Sequence, residues 1–387
     1  MKQVLIIDHS SLLGGAEYSL ESLVKGMDSN CYKYTIALPE TGPFADSLEN
    51  NGIQVDFLKL ESWRWWVRTP RQALKYFLAL PLQLISIIRW LYYLNSIKPD
   101  IVHFNINRLI EPVIAARILG MVSVMHFRDI PSRIDSRFIL GMPVFYKIMN
   151  LAGAWISNSN SVKDDISPFG KVPIQTIYNG LDINDFDLRS DQKCEIELPK
   201  DNITIAMMGG INPWKQQKEF IKIAINVLKK RKNILFYVVG GIVVQSYYLQ
   251  LMKIVNDSDN SMNIIFTGNI KNTAAMLKKI DIMLHTAVES FGRVFIEAMA
   301  AKKPVVAFNS GGASEIVVND ETGILVPNGE IDVMEKAVLS LIDDPDKGKN
   351  MGETGRKRVE ENYSIAMHCE DVANVYQYLL NGNLMTT

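Results

Sequence analysis

In the stretch ESFGRVFIE, two carboxylates flank a Phe-Gly turn: Glu289 before it and Glu297 eight positions further on, in an apolar segment. Val294, Ile296, Ala298 and Met299 give that segment the apolar surface of a helix. Ser290 is placed to cap a helix beginning near Phe291, which leaves the amides of Gly292, Arg293 and Val294 as donors for an anion. A carboxylate among apolar neighbours needs a partner, because burying an unpaired charge is costly. A ribose diol would serve Glu297, with two hydroxyl donors for two oxygens. A lysine such as Lys302 or Lys303 would also serve. Glu289 either faces the sugar side of the same ligand or is solvated.

Other residues of the same chemical kind lie elsewhere. Lys215, in GGINPWKQQ, follows a strand ending at Gly209-Gly210. There it could meet a phosphate as a point charge or be merely solvated. Gly14-Gly15 sits between the first strand and a helix beginning near Ala16, where backbone amides favour an anion. The motif is not G-x-G-x-x-G, which counts against a dinucleotide oxidoreductase, although Glu40 at the end of the second strand could imitate a ribose-binding acid. His103 and His126 end apolar runs. His9 and His285 do so with weaker cases, and His368 is expected at the surface.

These groups need a scaffold. QVLIID, YTIALP, PDIVHFN, VSVMHF, NITIAMMGG, NILFYVVGG and NIIFTGN are short apolar runs that alternate with amphipathic helical stretches. That order predicts parallel sheets of βαβ units, which bind ligands at the carboxyl ends of their strands. Between residues 186 and 200 the chain is polar and aperiodic, as a linker would be. The expected fold class is α/β: two doubly wound Rossmann-like domains, 1–185 and 201–365, whose sheets face an interdomain cleft. On these patterns the last helical stretch, from about Ala366 to Leu380, could belong to either domain.

The segment 59–98 is distinct. Lys59, Arg64, Arg68, Arg71, Lys75, Arg89 and Lys98 face one acid, Glu61, and four of the six tryptophans lie here: Trp63, Trp65, Trp66 and Trp90. The uncharged run YFLALPLQLISII is shorter than the ~20 residues that span a bilayer. Basic residues beside Trp and Leu suit a helix in the headgroup region. A core helix pair with a solvated basic face would read the same way.

Composition sets outer limits. The chain has 387 residues, 48% of them apolar and 21% charged, with 41 Lys and Arg against 42 Asp and Glu. It is too long for one core, and its near-zero net charge gives no field for nucleic acid. Cys31, Cys194 and Cys369 have neither disulfide nor zinc spacing, so a reducing, cytoplasmic compartment is expected. The run before Asp8 is too short for a signal-peptide core. Three D-x-D triplets, Asp185/Asp187, Asp257/Asp259 and Asp344/Asp346, lie in polar stretches, and no metal is expected.

The stretch ESFGRVFIEAMAAKKPVVAFNSGGASEIVVNDETGILVPNGE resembles the signature of the family 4 retaining glycosyltransferases: E-x7-E, then E-A-M-A, P-V-V-A, G-G, E-I-V and T-G-x-L-V. GGAEYSLESL, DIVHFN, SVMHFRD, ISNSNSVKDDI, YNGLDINDF and GGINPWKQ extend it, in order, along most of the chain. The resemblance implies the GT-B fold and transfer of a sugar from a nucleotide-sugar, UDP-linked rather than GDP-linked, with retained anomeric configuration. It implies a final helix, over 366–387, that packs back on the N-terminal domain, and no cofactor beyond that donor. The acceptor would be lipid-linked or a saccharide in polysaccharide biosynthesis, at the inner face of the cell membrane with peripheral membrane contact.

By the same resemblance Glu297 binds the donor ribose and Glu289 the sugar hydroxyls. The amides of Phe291, Gly292 and Arg293 hold the diphosphate with Lys215. Gly15, Gly209, Gly210 and Asn269 complete the donor site. Gly14, Gly15, His103 and Arg128 belong to the acceptor side, and His126 lies near the reacting sugar. His126, Glu289, Lys215 and Arg293 are the implied catalytic set. One departure stands out: Gly210 occupies a position where the family usually has arginine. Arg293 is expected to supply that charge, with Arg128, or Lys215 and the helix amides, as alternatives. A non-catalytic nucleotide-sugar or glycan binder, or a sugar-nucleotide epimerase of the same fold, are the rival readings.

Overall fold

The apolar runs become strands, and the amphipathic stretches cover them. The structure, a computed structural model, describes residues 1–78, 80–133, 136–199 and 201–382. It divides into two units, Met1–Gly180 together with the chain from Ile365, and Leu181–Ser364. In chain order the strands are β1 (Lys2–Ile7), β2 (Tyr32–Leu38), β3 (Gln54–Phe57), β4 (Trp66–Val67), β5 (Ile101–Phe104), β6 (Ser123–Phe127), β7 (Arg137–Phe138), β8 (Ala154–Ser157), β9 (Ile174–Thr176), β10 (Ile203–Met208), β11 (Ile234–Val239), β12 (Ile264–Gly268), β13 (Ile282–His285), β14 (Val305–Phe308) and β15 (Gly323–Val326). The helices are α1 (Gly15–Gly26), α2 (Pro43–Asn50), α3 (Pro70–Leu78), α4 (Leu80–Ile97), α5 (Ile110–Ile118), α6 (Met142–Met149), α7 (Asn160–Ile166), α8 (Ile183–Ser190), α9 (Gln217–Lys230), α10 (Gln245–Asn256), α11 (Thr273–Lys279), α12 (Arg293–Ala300), α13 (Ala313–Ile316), α14 (Ile331–Asp343), α15 (Pro345–Asn362) and α16 (Ile365–Leu380).

In the first unit the sheet order is β3-β2-β1-β5-β6-β8-β9, with every neighbour parallel. Central β1 is buried on both faces, which is why its sequence is a continuous apolar run. Val4 and Ile6 enter one layer with Leu20 and Leu23 of α1 and Val372 and Tyr376 of α16. Leu5 and Ile7 enter the other with Trp90 and Leu94 of α4 and Trp155 of β8. Each such buried side chain contributes roughly 1.5–3 kcal/mol. The chain runs outward from β1 through β2 to β3, then returns to place β5 on the other side of β1. The carboxyl ends of β1 and β5 therefore form a topological switch point.

The second unit has the order β12-β11-β10-β13-β14-β15, again all parallel. Ile205 and Met207 of β10 pack with Phe220 and Ala224 of α9 and Val338 of α14. Its switch point lies at the carboxyl ends of β10 and β13.

Helix α16 packs on α1 within the first unit. A Cβ at Gly26 would lie 2.8 Å from Cys369 Sγ, so the two helices approach closely there. His368 is buried rather than at the surface, with Nδ1 2.6 Å from the Tyr178 carbonyl oxygen. It shares the helix face of Cys369, Val372 and Val375, and that face is the packed one.

The stretch read as a linker from 186 to 200 is in part helical. Helix α8 begins where the Asp182 side chain accepts from the Asp185 amide, and Phe186 is buried beneath it. The next residues dock on the β12–α11 connection: Glu195 Oε1 accepts from the amides of Lys271 and Asn272 at 2.7 and 3.0 Å. One apolar anchor in eight residues leaves no readable period, so the sequence looked like a linker. The unit boundary falls at Gly180/Leu181.

Trp65, Trp66 and Trp90 are core residues, while the side chain of Trp63 lies outside the described residues. Trp65 stacks on Phe138, and its Nε1 donates to Glu111 Oε1 at 3.1 Å. Trp66 meets Phe145 edge-on. Among the described residues no single helix is long and apolar enough to cross a membrane.

Candidate active site

At the second unit's switch point, the loop after β10 meets the loop after β13. Gly209 has φ +145°, a conformation that a side chain would strain, and Gly210 follows. Asn212 then accepts from the Lys215 amide at 3.1 Å and opens a short turn that presents Lys215. Gln216 closes the turn with φ +53°, and its carbonyl accepts from Thr286 Oγ1 of the opposite loop at 2.9 Å. Lys215 Nζ reaches Glu289 Oε1 at 2.5 Å.

Glu289 is not solvated. His285, fully buried at the end of β13, places Nε2 2.8 Å from the same Oε1. Burial alone would push the Glu289 carboxyl up. The Lys215 ammonium and the His285 hydrogen bond outweigh it and hold the carboxyl well below the usual range. Both contacts fall on Oε1 rather than Oε2.

Helix α12 starts at Arg293, two residues later than expected, and its N-cap is Gly292 at φ +87° rather than Ser290. Glycine is required there because a Cβ would lie 2.3 Å from the Phe295 ring. With no side-chain cap, the first amides of α12 have no partner within the helix. Phe291 is buried, and the loop is held from behind: the Gly312 amide donates to the Glu289 carbonyl at 2.9 Å. Glu297 pairs with neither Lys302 nor Lys303. Arg293 Nε donates to Glu297 Oε1 at 2.8 Å, one turn away on the same helix face, and Lys302 bonds Glu353 instead. Arg293 Nη1 is buried and has no partner among the described residues. Asn269 follows β12 and lies over the backbone of Gly241, where a Cβ would meet its Oδ1 at 2.6 Å.

The first unit gathers a second set at its own switch point. Asp8 follows β1 and Asn105 follows β5, and Asn105 Nδ2 donates to Asp8 Oδ2. Asp8 Oδ1 accepts from the His9 amide at 2.6 Å and faces His9 Nδ1 at 3.0 Å. Arg128, after β6, donates from Nε to Asn105 Oδ1 at 2.9 Å and from Nη1 to Asn179 Oδ1 at 2.9 Å. Burial pushes the Arg128 guanidinium down to about 10, so it still carries its charge at neutral pH.

Gly14 caps α1 without a side chain, and a Cβ there would lie 2.8 Å from Glu17 Oε2. Glycine thus lets the Glu17 carboxyl lie against the loop. Burial, with Asp8 nearby, pushes that carboxyl up to about 7. A Cβ at Gly15 would meet nothing, so internal packing does not explain that glycine. The ligating atoms of Asp8, His9 and Glu17 come within 4.8 Å of one another. Within this cluster Asp8 already accepts from the amides of His9 and Ser10 and from Asn105.

The two predicted histidines of this unit touch. Tyr376 Oη of α16 lies 2.6 Å from His103 Nδ1, and His103 Nε2 lies 3.3 Å from His126 Nδ1. Burial pushes His103 down to about 3, His126 well below its usual value, and the Tyr376 phenol up. All three are neutral at pH 7. Tyr376 has no other acceptor among the described residues, so its hydroxyl donates to His103 Nδ1. The network then assigns a proton to His103 Nε2, directed at His126 Nδ1, and a proton to His126 Nε2. That last N–H is buried and has no partner among the described residues.

Sequence reasoning missed Asp8, Glu17, Asn105 and Tyr376. Asp8 and Asn105 each follow an apolar run, which was the available signal. Tyr376 gave none.

Solved structures share this architecture. HepE of Anabaena, in complex with UDP and glucose, superposes with a TM-score of 0.79 at 22% identity, covering 97% of this chain and 100% of that chain. TarM of Staphylococcus aureus superposes at 0.75 and 14% identity, over 97% and 100%. Two parallel-sheet units of this kind define the GT-B fold. Family models match residues 13–185, as Glycosyltransferase Family 4, and residues 189–358, as Glycosyl transferases group 1. The chain belongs to the family 4, group 1 glycosyltransferases.

Among curated relatives, the capsular polysaccharide biosynthesis glycosyltransferase CapM of Staphylococcus aureus is 28% identical over 210 residues, 52% of this chain and 53% of that protein. A GDP-mannose-dependent monoacylated alpha-(1-6)-phosphatidylinositol monomannoside mannosyltransferase of Corynebacterium glutamicum is 28% identical over 227 residues, 54% and 58%. The chain spans about half the length of the curated relatives it matches.

Proposed function

We propose that this chain transfers a sugar from a nucleotide-sugar, UDP-linked rather than GDP-linked, to a lipid-linked or saccharide acceptor in glycan biosynthesis. Transfer retains the anomeric configuration, needs no metal, and takes place in the cytoplasm at the inner face of the cell membrane. The observation that carries this reading is the second unit's switch point: an uncapped helix start between two carboxylates, with a lysine held beside one of them.

Each group there has a task. The first amides of α12 and the Lys215 ammonium stabilise the charge that grows on the departing diphosphate. Glu297 accepts from the ribose hydroxyls, and Glu289 accepts from the sugar through Oε2. Arg293, with its buried Nη1 open, supplies the charge absent at Gly210. Retention follows if the acceptor hydroxyl attacks from the side the diphosphate leaves, with a phosphate oxygen taking its proton. No protein base is then needed. His126 offers a neutral N–H donor, and Gly14, Gly15, His103 and Arg128 are assigned to the acceptor side. UDP is preferred because HepE and TarM are described with UDP, although mannosyltransferases among the relatives are GDP-mannose-dependent.

Thermal stabilisation by UDP, GDP and their sugars in EDTA tests this. A ligand at 100 times its dissociation constant adds about 2.7 kcal/mol. We expect a shift with UDP that Glu297→Gln abolishes. Glu297→Gln also frees Arg293, so Arg293→Ala is measured beside it and is expected to weaken UDP while leaving the unliganded melting temperature within a few degrees. No shift with any nucleotide would overturn the donor-site reading. A shift that appears only when Mg²⁺ is restored would overturn metal independence.

A further inference from the structure

Helix α4 has its polarity inside out. Its buried face repeats at Gln83, Ser86, Trp90 and Leu94, the spacing of one helical stripe. Gln83 and Ser86 are each 1% exposed, and their side-chain polar atoms have no partner among the described residues. The opposite face carries Leu84, Ile85, Ile88 and Tyr92, all exposed, with Tyr92 at 76%. A helix turned toward water would show the reverse. Rotation cannot correct it, because Trp90 and Leu94 are locked in the core of the first unit.

The preceding helix continues the pattern. No residue of α3 is buried. Leu74 and Leu78 form an exposed apolar stripe one turn apart, with Leu78 at 73%, and Arg71 and Lys75 form a basic stripe beside it. Arg89 adds an exposed charge on α4. The acid of this segment is already engaged: Glu61 is buried against Arg64 at 2.9 Å.

We propose that the outward faces of α3 and α4 form a docking surface for an anionic lipid bilayer, lying in the headgroup region rather than crossing it. Apolar side chains enter the acyl boundary while Arg71, Lys75 and Arg89 meet lipid phosphates. Two observations favour a surface position. The helices are bent by 58° from each other, and the inner face of α4 packs on α5, so neither forms a free span. Charge selects the occupant. A second copy of this chain would bring the same basic rim against itself, whereas an anionic membrane complements it. Trp65, Trp66 and Trp90 take no part, since they are interior.

The test is co-sedimentation of the full chain with phosphatidylcholine vesicles, with and without phosphatidylglycerol, at low and high salt. The double variant Leu84→Glu/Ile88→Glu changes exposed positions only, and glutamate is a good helix former. Circular dichroism and the melting temperature check that it folds. We expect the wild type to bind phosphatidylglycerol vesicles in a salt-dependent way, and the variant to bind about tenfold less or weaker still. Arg71→Glu/Lys75→Glu should remove the preference for anionic lipid. Three results overturn the proposal: no sedimentation of wild type with anionic vesicles at low salt, equal sedimentation of the folded apolar variant, or a wild-type dimer by light scattering that the variant dissociates while neither binds vesicles. This experiment reads no activity, so it succeeds or fails independently of the proposed reaction.

Discussion

Glu17 gives a prediction that can be worked through to a number. Its carboxyl is buried beside Asp8, and the fold raises it from 4.5 to about 7. Below pH 4.5 the carboxyl is protonated in folded and unfolded chain alike, and the shift has no effect. As pH rises from there, the unfolded chain releases its proton while the folded one keeps it. Stability is therefore lost between pH 4.5 and about 7, then levels off. At about 1.4 kcal/mol per pKa unit, the full loss is about 3 kcal/mol. Glu17→Gln keeps the size and polarity but has nothing to titrate. The assay is urea unfolding of both proteins from pH 4.5 to 8, taking the difference in unfolding free energy at each pH. Subtraction cancels the other titrating groups that both proteins share. We expect the variant to gain steadily on wild type across that window and to be about 3 kcal/mol ahead at pH 8. Parallel curves would refute the reasoning. They would mean that Glu17 ionises normally and that Gly14 does not shelter its carboxyl.

Two further outcomes follow from the packing. Tyr376→Phe removes the hydroxyl that orders His103 and His126, so the nitrogen-15 shifts of His126 should move toward a mixture of tautomers. Turnover should fall about fivefold to tenfold, with KM for the sugar donor unchanged, in line with one lost hydrogen bond of about 1 kcal/mol. An unchanged His126 spectrum would refute the hydrogen-bonded order from Tyr376 through His103 to His126. Gly312→Ala places a Cβ 1.8 Å from the Phe291 carbonyl oxygen, which belongs to backbone and cannot swing aside. It should destabilise the protein by about 1–3 kcal/mol and weaken the nucleotide response, read by thermal shift. Wild-type stability would show that the loop before α12 does not rest on Gly312.

The sequence by itself determined the local elements and their chemistry. Nearly continuous apolar runs, such as VLII within QVLIID and IAMM within ITIAMM, fit strands buried on both faces, and that pattern implies parallel sheets. Glu289 and Glu297 are separated by one turn and one helix start, so their relation is short-range and legible. Tertiary structure decided which distant residues meet. Lys215 reaches Glu289 because β13 lies next to β10, and Asp8 meets Asn105 because β5 lies next to β1. Strand order is set by how helices cross the sheet, and no local period records it. Tyr376 reaches His103 across 273 residues for the same reason. Direction was also undecided. The tryptophans of segment 59–98 pointed in the sequence to a surface, yet Trp65, Trp66 and Trp90 fill the core, and the leucines and isoleucines of α4 face outward. A helix that is apolar on most sides has no inner face until its neighbours choose one, and here Trp90 and Leu94 fixed the choice.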